Sequence, residues 1–308
     1  MKFSIDKYKY HLILHFTIVI WGFTGVIGKY LELSGMNSMP IVIYRMLIGW
    51  VSLLIFMSIM RISIKIDIKG LFKTLGTGVI IAGHWWAFFK AIELSNVSIA
   101  LIFMSTTALF TSLVEPIIAK KKFDFKELLM GIIVVIGISV IINDLYFNAE
   151  EEYIWAILLA LISAFLAAVF SIINSVLVKE YDSKVITLYE IFGGFVAITI
   201  ATICIGSHEI EGFDISLYQF YLLIILGTIC TSFAFLMGVY IMKFIPAYTV
   251  NLSVNMEPIY AIILALVFFG SEEVMSINFY IGSSIVVGTI LLNAYFKRNK
   301  KISTKKAT

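Results

Sequence analysis

Charge is scarce in this sequence. Only 14% of its 308 residues are Asp, Glu, Lys or Arg, against about 25% in a soluble domain. Cysteine is scarcer still, with Cys204 and Cys230 both set inside long apolar runs. A disulfide scaffold needs more cysteines in a loop-rich setting, so that class is excluded and the pair reads as small apolar side chains. A phosphate-cradling loop needs G-x-x-x-x-G-K-[ST]. The nearest approach, Gly28-Lys29-Tyr30, lacks the Ser/Thr and has Phe23 where the first glycine belongs. No His-Glu-x-x-His and no Cys-x-x-Cys occurs. The expectation is therefore no metal, no organic cofactor and no ATP hydrolysis.

Apolar residues fill the space that charge leaves. They make up 60% of the chain, with 15% aromatic and a mean hydropathy of +0.99. That excludes a soluble globule, a disordered chain and a nucleic-acid binder. A bilayer-spanning helix needs about 20 predominantly apolar residues, and ten such runs can be read: 11–31, 39–60, 71–92, 97–119, 127–143, 153–178, 185–206, 217–242, 246–269 and 274–296. They are too long and continuous for barrel strands. The first follows a lysine-bearing start, exceeds a signal-peptide core and has no small-residue cleavage site after it, so it reads as a retained span. The expected fold is an all-α integral membrane protein of ten transmembrane helices, with the lipid bilayer as its partner.

Basic residues are segregated among the connections. Lys2, Lys7 and Lys9 precede the first run; Arg61, Lys65, Lys69 and Lys73 follow the second; Lys120, Lys121, Lys122 and Lys126 follow the fourth. Lys179, Lys184, Lys243 and the C-tail's Lys297, Arg298, Lys300, Lys301, Lys305 and Lys306 complete 20 of the 23. The alternate connections contain none, and carry Glu32, Glu93, Asp144, Glu150 to Glu152, Glu209, Glu211, Asp214, Glu272 and Glu273. Cytoplasmic loops are the Lys/Arg-rich ones. Both termini are expected in the cytoplasm, in an inner or plasma membrane.

The chain also repeats itself. Tyr44-Arg-Met-Leu-Ile-Gly-Trp-Val51 aligns with Tyr189-Glu-Ile-Phe-Gly-Gly-Phe-Val196 at an offset of 145. Leu75-Gly76-Thr77 aligns with Leu226-Gly227-Thr228 at 151, and the same offset brings Gly131 and Gly137 onto Gly282 and Gly288. One six-residue insertion near the loop after the seventh run reconciles the offsets. Two five-helix units are expected, residues 1–148 and 149–308, the second ending in the basic C-tail. Five is odd, so the second unit enters the membrane from the opposite side. Inverted repeats are an architecture of secondary transporters, with the site near the midplane between the halves. Such a pair closes a path within one chain, so no oligomer is implied.

Trp21-Gly22, Arg45, Leu226-Gly227-Thr228, Glu257-Pro258, Gly270-Ser-Glu-Glu273 and Gly282-x5-Gly288 occur in order along the chain. In that order and spacing the sequence resembles the drug/metabolite transporter superfamily, and within it the ten-helix EamA-type permeases, over about residues 11–296. The resemblance implies transport of small metabolites, amino acids or drug-like compounds. The counterpart of Glu257-Pro258 in the first half is Thr106-Thr107, and Lys120-Lys-Lys122 stands where the family has a Gly-Glu pair.

Ionisable side chains inside spans cost about 2.5–3.5 kcal/mol each at a helix centre, which marks them as functional candidates. Counting depth along the runs puts His84 and Glu257 near the midplane, level with Trp21. Lys29, Arg45 and Lys90 fall nearer the outer ends of their helices, and Glu115 and Glu190 nearer the inner ends. Lys29 and Lys90 also read as snorkelling side chains, Glu115 as a partner of Lys120, and His84 as a core histidine satisfied by a carbonyl. Asn251 and Asn255 share a face four residues apart, suited to binding or to helix gluing. Trp85, Trp86, Phe88 and Phe89 read as packing.

The expected activity is alternating-access transport of a small-molecule substrate, with proton coupling as one mode. Trp21, His84, Asn255 and Glu257 are the candidate substrate-binding residues. Arg45, Glu190 and Glu257 are candidates for gating or coupling. An intramembrane enzyme or a passive channel is the alternative, the first requiring catalysis by a pair such as His84 and Glu257.

Overall fold

The computed structural model describes residues 5–118, 129–130, 133–134, 136–137, 139–140, 151–205, 213–245, 247–254, 256–270 and 275–306. All regular structure among them is helical. The helices are α1 (Ile5–Leu33), α2 (Ser38–Ile59), α3 (Ile68–Glu93), α4 (Val97–Met104), α5 (Thr107–Ile118), α6 (Glu151–Leu177), α7 (Ser183–Ile205) and α8 (Leu217–Ile225). A π-helical segment, Leu226–Phe233, carries α8 into α9 (Ala234–Ile241), followed by α10 (Ala247–Val254), α11 (Glu257–Phe269) and α12 (Ile277–Lys306).

Seven stretches among the described residues are long and apolar enough to cross a membrane: Lys9–Leu33, Ser38–Ile59, Ile68–Glu93, Val97–Ile118, Glu152–Leu177, Ser183–Ile205 and Leu217–Ile241. Two shorter apolar helices, Tyr260–Phe269 and Ile277–Thr289, follow. The expected run 127–143 falls largely outside the described residues. Large apolar side chains such as Ile59, Phe72, Ile117, Ile203 and Val267 are exposed on the outside, a distribution suited to hydrocarbon rather than water.

Local chemistry sets the helix ends. Asp67 and Asn96 cap α3 and α4 by accepting from the N–H groups of Gly70 (3.2 Å) and Ile99 (2.9 Å). Ser216 and Gln219 cap α8 reciprocally. Helix α1 ends at Gly35, whose φ of +90 lets Met36 N–H reach back to the Leu31 carbonyl at 3.1 Å.

Glycine determines how closely the helices pack. A Cβ on Gly78 would strike the Glu190 carbonyl, and one on Gly193 would lie 2.7 Å from the Leu75 carbonyl. Helices α3 and α7 thus meet backbone to backbone. The same occurs between α2 and the π segment, where a Cβ on Gly49 would lie 3.2 Å from the Gly227 carbonyl. Small residues permit this approach in membranes, where close packing replaces the hydrophobic drive.

Two of the expected spans are interrupted. Run 97–119 breaks between Met104 and Thr107, and run 246–269 between Val254 and Glu257. At the second break Pro258 cannot donate a helical hydrogen bond. At the first, the hydroxyls of Ser105, Thr106 and Thr107 each turn back to a carbonyl three residues earlier, at 2.6–2.7 Å. Side-chain bonds of this kind compete with the helical ladder.

Candidate functional site

Helices α1, α2, α3, α6, α9 and α11, with residues of α4, α5 and α10, line a partly open cavity whose atom-free space, its mouth included, is about 810 Å³. Trp21, Arg45, His84 and Glu257 all line it, joined by Trp85, Phe88, Phe170, Asn174 and Phe235. Met104, Thr107, Val254 and Glu257, which flank the two helix breaks, line it as well. The walls are mostly apolar and aromatic, with a few polar groups converging, a composition typical of small-molecule sites.

Arg45 is 1% exposed, yet it keeps its charge inside the bundle through two contacts. Its Nε donates to Thr231 Oγ1 at 3.0 Å. Its guanidinium lies 3.9 Å from the Trp85 ring centroid and 5.3 Å from that of Phe89, where the π faces attract a cation. The Nη1 atom has no hydrogen-bond partner among the described residues. Thr231 belongs to the π segment and donates its own proton to the Leu226 carbonyl, five residues back, at 2.8 Å. The widened turn therefore presents a hydroxyl to Arg45, a typical use of π-bulges at functional sites. Depth counting set Arg45 nearer the outer surface, but the structure places it on the same cavity as Glu257.

His84 is held on one edge. Its Nδ1 lies 2.9 Å from the Ser163 carbonyl and 2.8 Å from Ser163 Oγ, and that hydroxyl donates to the His84 carbonyl at 2.9 Å. The serine proton is thereby committed, which assigns the ring proton to Nδ1 and leaves Nε2 as an acceptor. The satisfied-histidine reading is right for this edge, while the ring still faces the cavity.

Glu257 opens α11, with Pro258 next to it. Its carboxylate makes no hydrogen bond to a described residue, and Arg45 is the charged group that acts on it. Asn255 lies outside the described residues. Glu190 is fully buried and does not line the cavity; it accepts a 3.3 Å hydrogen bond from Asn174 Nδ2, and Asn174 is the cavity-lining member of that pair. Lys29 and Lys90 pair with Glu32 (2.7 Å) and Glu93 (2.5 Å) at the helix ends, as snorkelling side chains would.

Sequence reasoning missed Asn174 and Thr231, and favoured packing over an aromatic cage for Trp85 and Phe88. An asparagine late in run 153–178 was the available signal for the first. For the aromatics it was the three-residue spacing that puts both on one face of α3.

A profile described as the EamA-like transporter family matches residues 9–143 and 154–295. The uncharacterized transporter YdfC of Bacillus subtilis (strain 168) is 22% identical over 278 residues, covering 87% of this chain and 85% of that protein. A crystal structure superposes with a TM-score of 0.68 at 14% identity, covering 94% of this chain and 98% of the other. That likeness shows a shared fold.

Proposed function

This chain belongs to the EamA-like transporter family, and on that premise we propose that it is a secondary transporter moving a small metabolite by alternating access. On this proposal the chain forms ten transmembrane helices in two inverted five-helix repeats, 1–148 and 149–308, with both termini cytoplasmic. The observation that carries it is the pair of broken spans. They fall at corresponding places in the two halves, at Met104–Thr107 and Val254–Glu257, and all four flanking residues line one cavity. Interrupted helices at matching positions, meeting at the repeat interface, are the best structural pointer to a transporter's binding site.

Three further features support the duplication on which that inversion rests. The family profile matches each half separately. The aligned tyrosines do the same job on different loops: Tyr44 donates to the Phe213 carbonyl and Tyr189 to the Ile64 carbonyl, both at 3.0 Å. The glycine contacts also correspond, with α2 on the π segment matched by α7 on α3.

In this account Trp21, His84, Arg45 and Glu257 contact the substrate. The opposite charges of Arg45 and Glu257 on one aromatic-walled cavity make amino-acid-sized metabolites the first candidates. Glu257, whose carboxylate has no hydrogen-bond partner among the described residues, is the group that takes and releases a coupling proton. The test starts with a thermal-shift screen of the purified protein against a metabolite library, since a ligand at 100 times its Kd stabilises by about 2.7 kcal/mol. A stabilising compound should then show saturable counterflow in proteoliposomes. Non-saturable flux would indicate a channel, and chemical turnover in detergent an enzyme.

A further inference from the structure

Behind the cavity wall, α6 and α7 enclose a second polar cluster. Glu190, Asn174 and Thr187 are each 0% exposed. One oxygen of each has no hydrogen-bond partner among the described residues: Glu190 Oε1, Asn174 Oδ1 and Thr187 Oγ1. The residues are neighbours, because Asn174 Nδ2 contacts Glu190 Oε2 at 3.3 Å and Thr187 stands one turn before Glu190 on the same face of α7. No basic side chain among the described residues pairs with Glu190, and Asn174 is the one group that offsets its burial. Leaving a carboxylate in such a place uncompensated is prohibitively costly.

We propose that Glu190 Oε1, Asn174 Oδ1 and Thr187 Oγ1 form a binding site for a monovalent alkali cation of the Na+ class. A proton on Glu190 would neutralise the charge and pair with Asn174 Oδ1, but it would leave Thr187 Oγ1, which carries a proton of its own, outside the pair. A small hard cation takes several oxygen ligands at once, as oxygen-lined cation sites do, and so meets all three while balancing the carboxylate. The repeat alignment sharpens the contrast. Position 45 in the first half holds an arginine that supplies its own positive charge; its counterpart, Glu190, must recruit one. Asn174 both serves this site and lines the main cavity, so cation occupancy and cavity shape are linked through one side chain. The site goes beyond the transport reading and can be tested without transport.

The purified protein in detergent is titrated with NaCl against choline chloride at constant ionic strength, reading thermal stability, and 22Na+ binding is measured by scintillation proximity. The expected result is saturable stabilisation by Na+ over choline, with 22Na+ displaced by unlabelled Na+. Glu190→Gln keeps the shape and should remove both signals. Thr187→Val, which deletes a single ligand, should raise the Na+ midpoint by roughly tenfold. Should Glu190→Gln not fold, the Thr187→Val shift alone decides. Identical melting in Na+ and choline with no displaceable 22Na+ would overturn the proposal, as would undiminished Na+ binding in the variants. Stability that answers to pH but not to Na+ also overturns it, in favour of a proton on Glu190. None of these outcomes depends on whether the main cavity carries a metabolite, so failure here leaves the transport reading to its own test.

Discussion

Arg45→Lys keeps a positive charge in the cavity but gives up the flat guanidinium. The arginine uses its plane twice, donating from Nε to Thr231 Oγ1 at 3.0 Å and stacking 3.9 Å from the Trp85 centroid. An ammonium group cannot hold both geometries from one stem. Hydrogen bonds between neutral side chains of neighbouring membrane helices average about 0.6 kcal/mol, whereas a charged partner raises the figure to about 1.5–3 kcal/mol. Losing part of a desolvated cation–π contact, worth about 2 kcal/mol, brings the expected destabilisation to about 2–4 kcal/mol. Equilibrium unfolding of wild type, Arg45→Lys, Thr231→Val and the double variant measures this and isolates the Arg45–Thr231 term. A coupling energy of about 1 kcal/mol or more is expected. A lysine variant as stable as wild type, within about 0.5 kcal/mol, with no coupling to Thr231, would refute the arrangement.

Gly78→Ala presses a methyl group into the Glu190 carbonyl and to 2.8 Å from Gly194 N, and should cost about 1–3 kcal/mol in the same assay. Two residues away Gly76 faces open space, so Gly76→Ala should be neutral or stabilise by about 0.5–1 kcal/mol; equal effects at both sites would mean that α3 and α7 do not meet as described. Tyr44→Phe and Tyr189→Phe each delete one hydrogen bond to a loop carbonyl, and each should cost about 0.5–1.5 kcal/mol. Independent, additive losses in the double variant fit latches on two separate loops, and strong coupling contradicts that. Glu257→Gln preserves shape but cannot ionise; it should abolish gradient-driven accumulation of the substrate while leaving binding intact, and a variant that still concentrates substrate with unchanged pH dependence would remove Glu257 from proton coupling.

Most of the described helices lie where the apolar runs do, because twenty apolar residues have one solution in a bilayer. Runs 39–60 and 185–206 became α2 and α7, Ser38–Ile59 and Ser183–Ile205. The interruptions were half legible. Pro258 announced the break before α11, but Ser105-Thr106-Thr107 gave no comparable sign, since hydroxyl groups are also tolerated within membrane helices. The π segment was not legible, because Leu226–Phe233 reads as one more part of a continuous apolar run.

Arg45 shows why depth counting fails for long side chains. Its Cα lies about 10 Å from the start of α2 at 1.5 Å per residue, and the side chain then extends further into the bundle. Counting from the backbone put Trp21, His84 and Glu257 at one level and left Arg45 as a gating or coupling group nearer the outer end, whereas all four line one cavity. Asn174 was missed for a different reason. A single neutral amide in an apolar run looks like helix glue until its partner, Glu190, is seen across the α6–α7 contact.

Alternating access at this cavity is tested most directly by chemical accessibility from each side of the membrane. Thr107 lines the cavity at the first helix break. A Thr107→Cys variant is prepared in a background with Cys204 and Cys230 replaced by serine, and reconstituted in vesicles of known orientation. An impermeant maleimide should modify it from either side, and a transported compound should slow the reaction from both. Modification from one side only, unaffected by any compound that stabilises the protein, would contradict alternating access through this cavity.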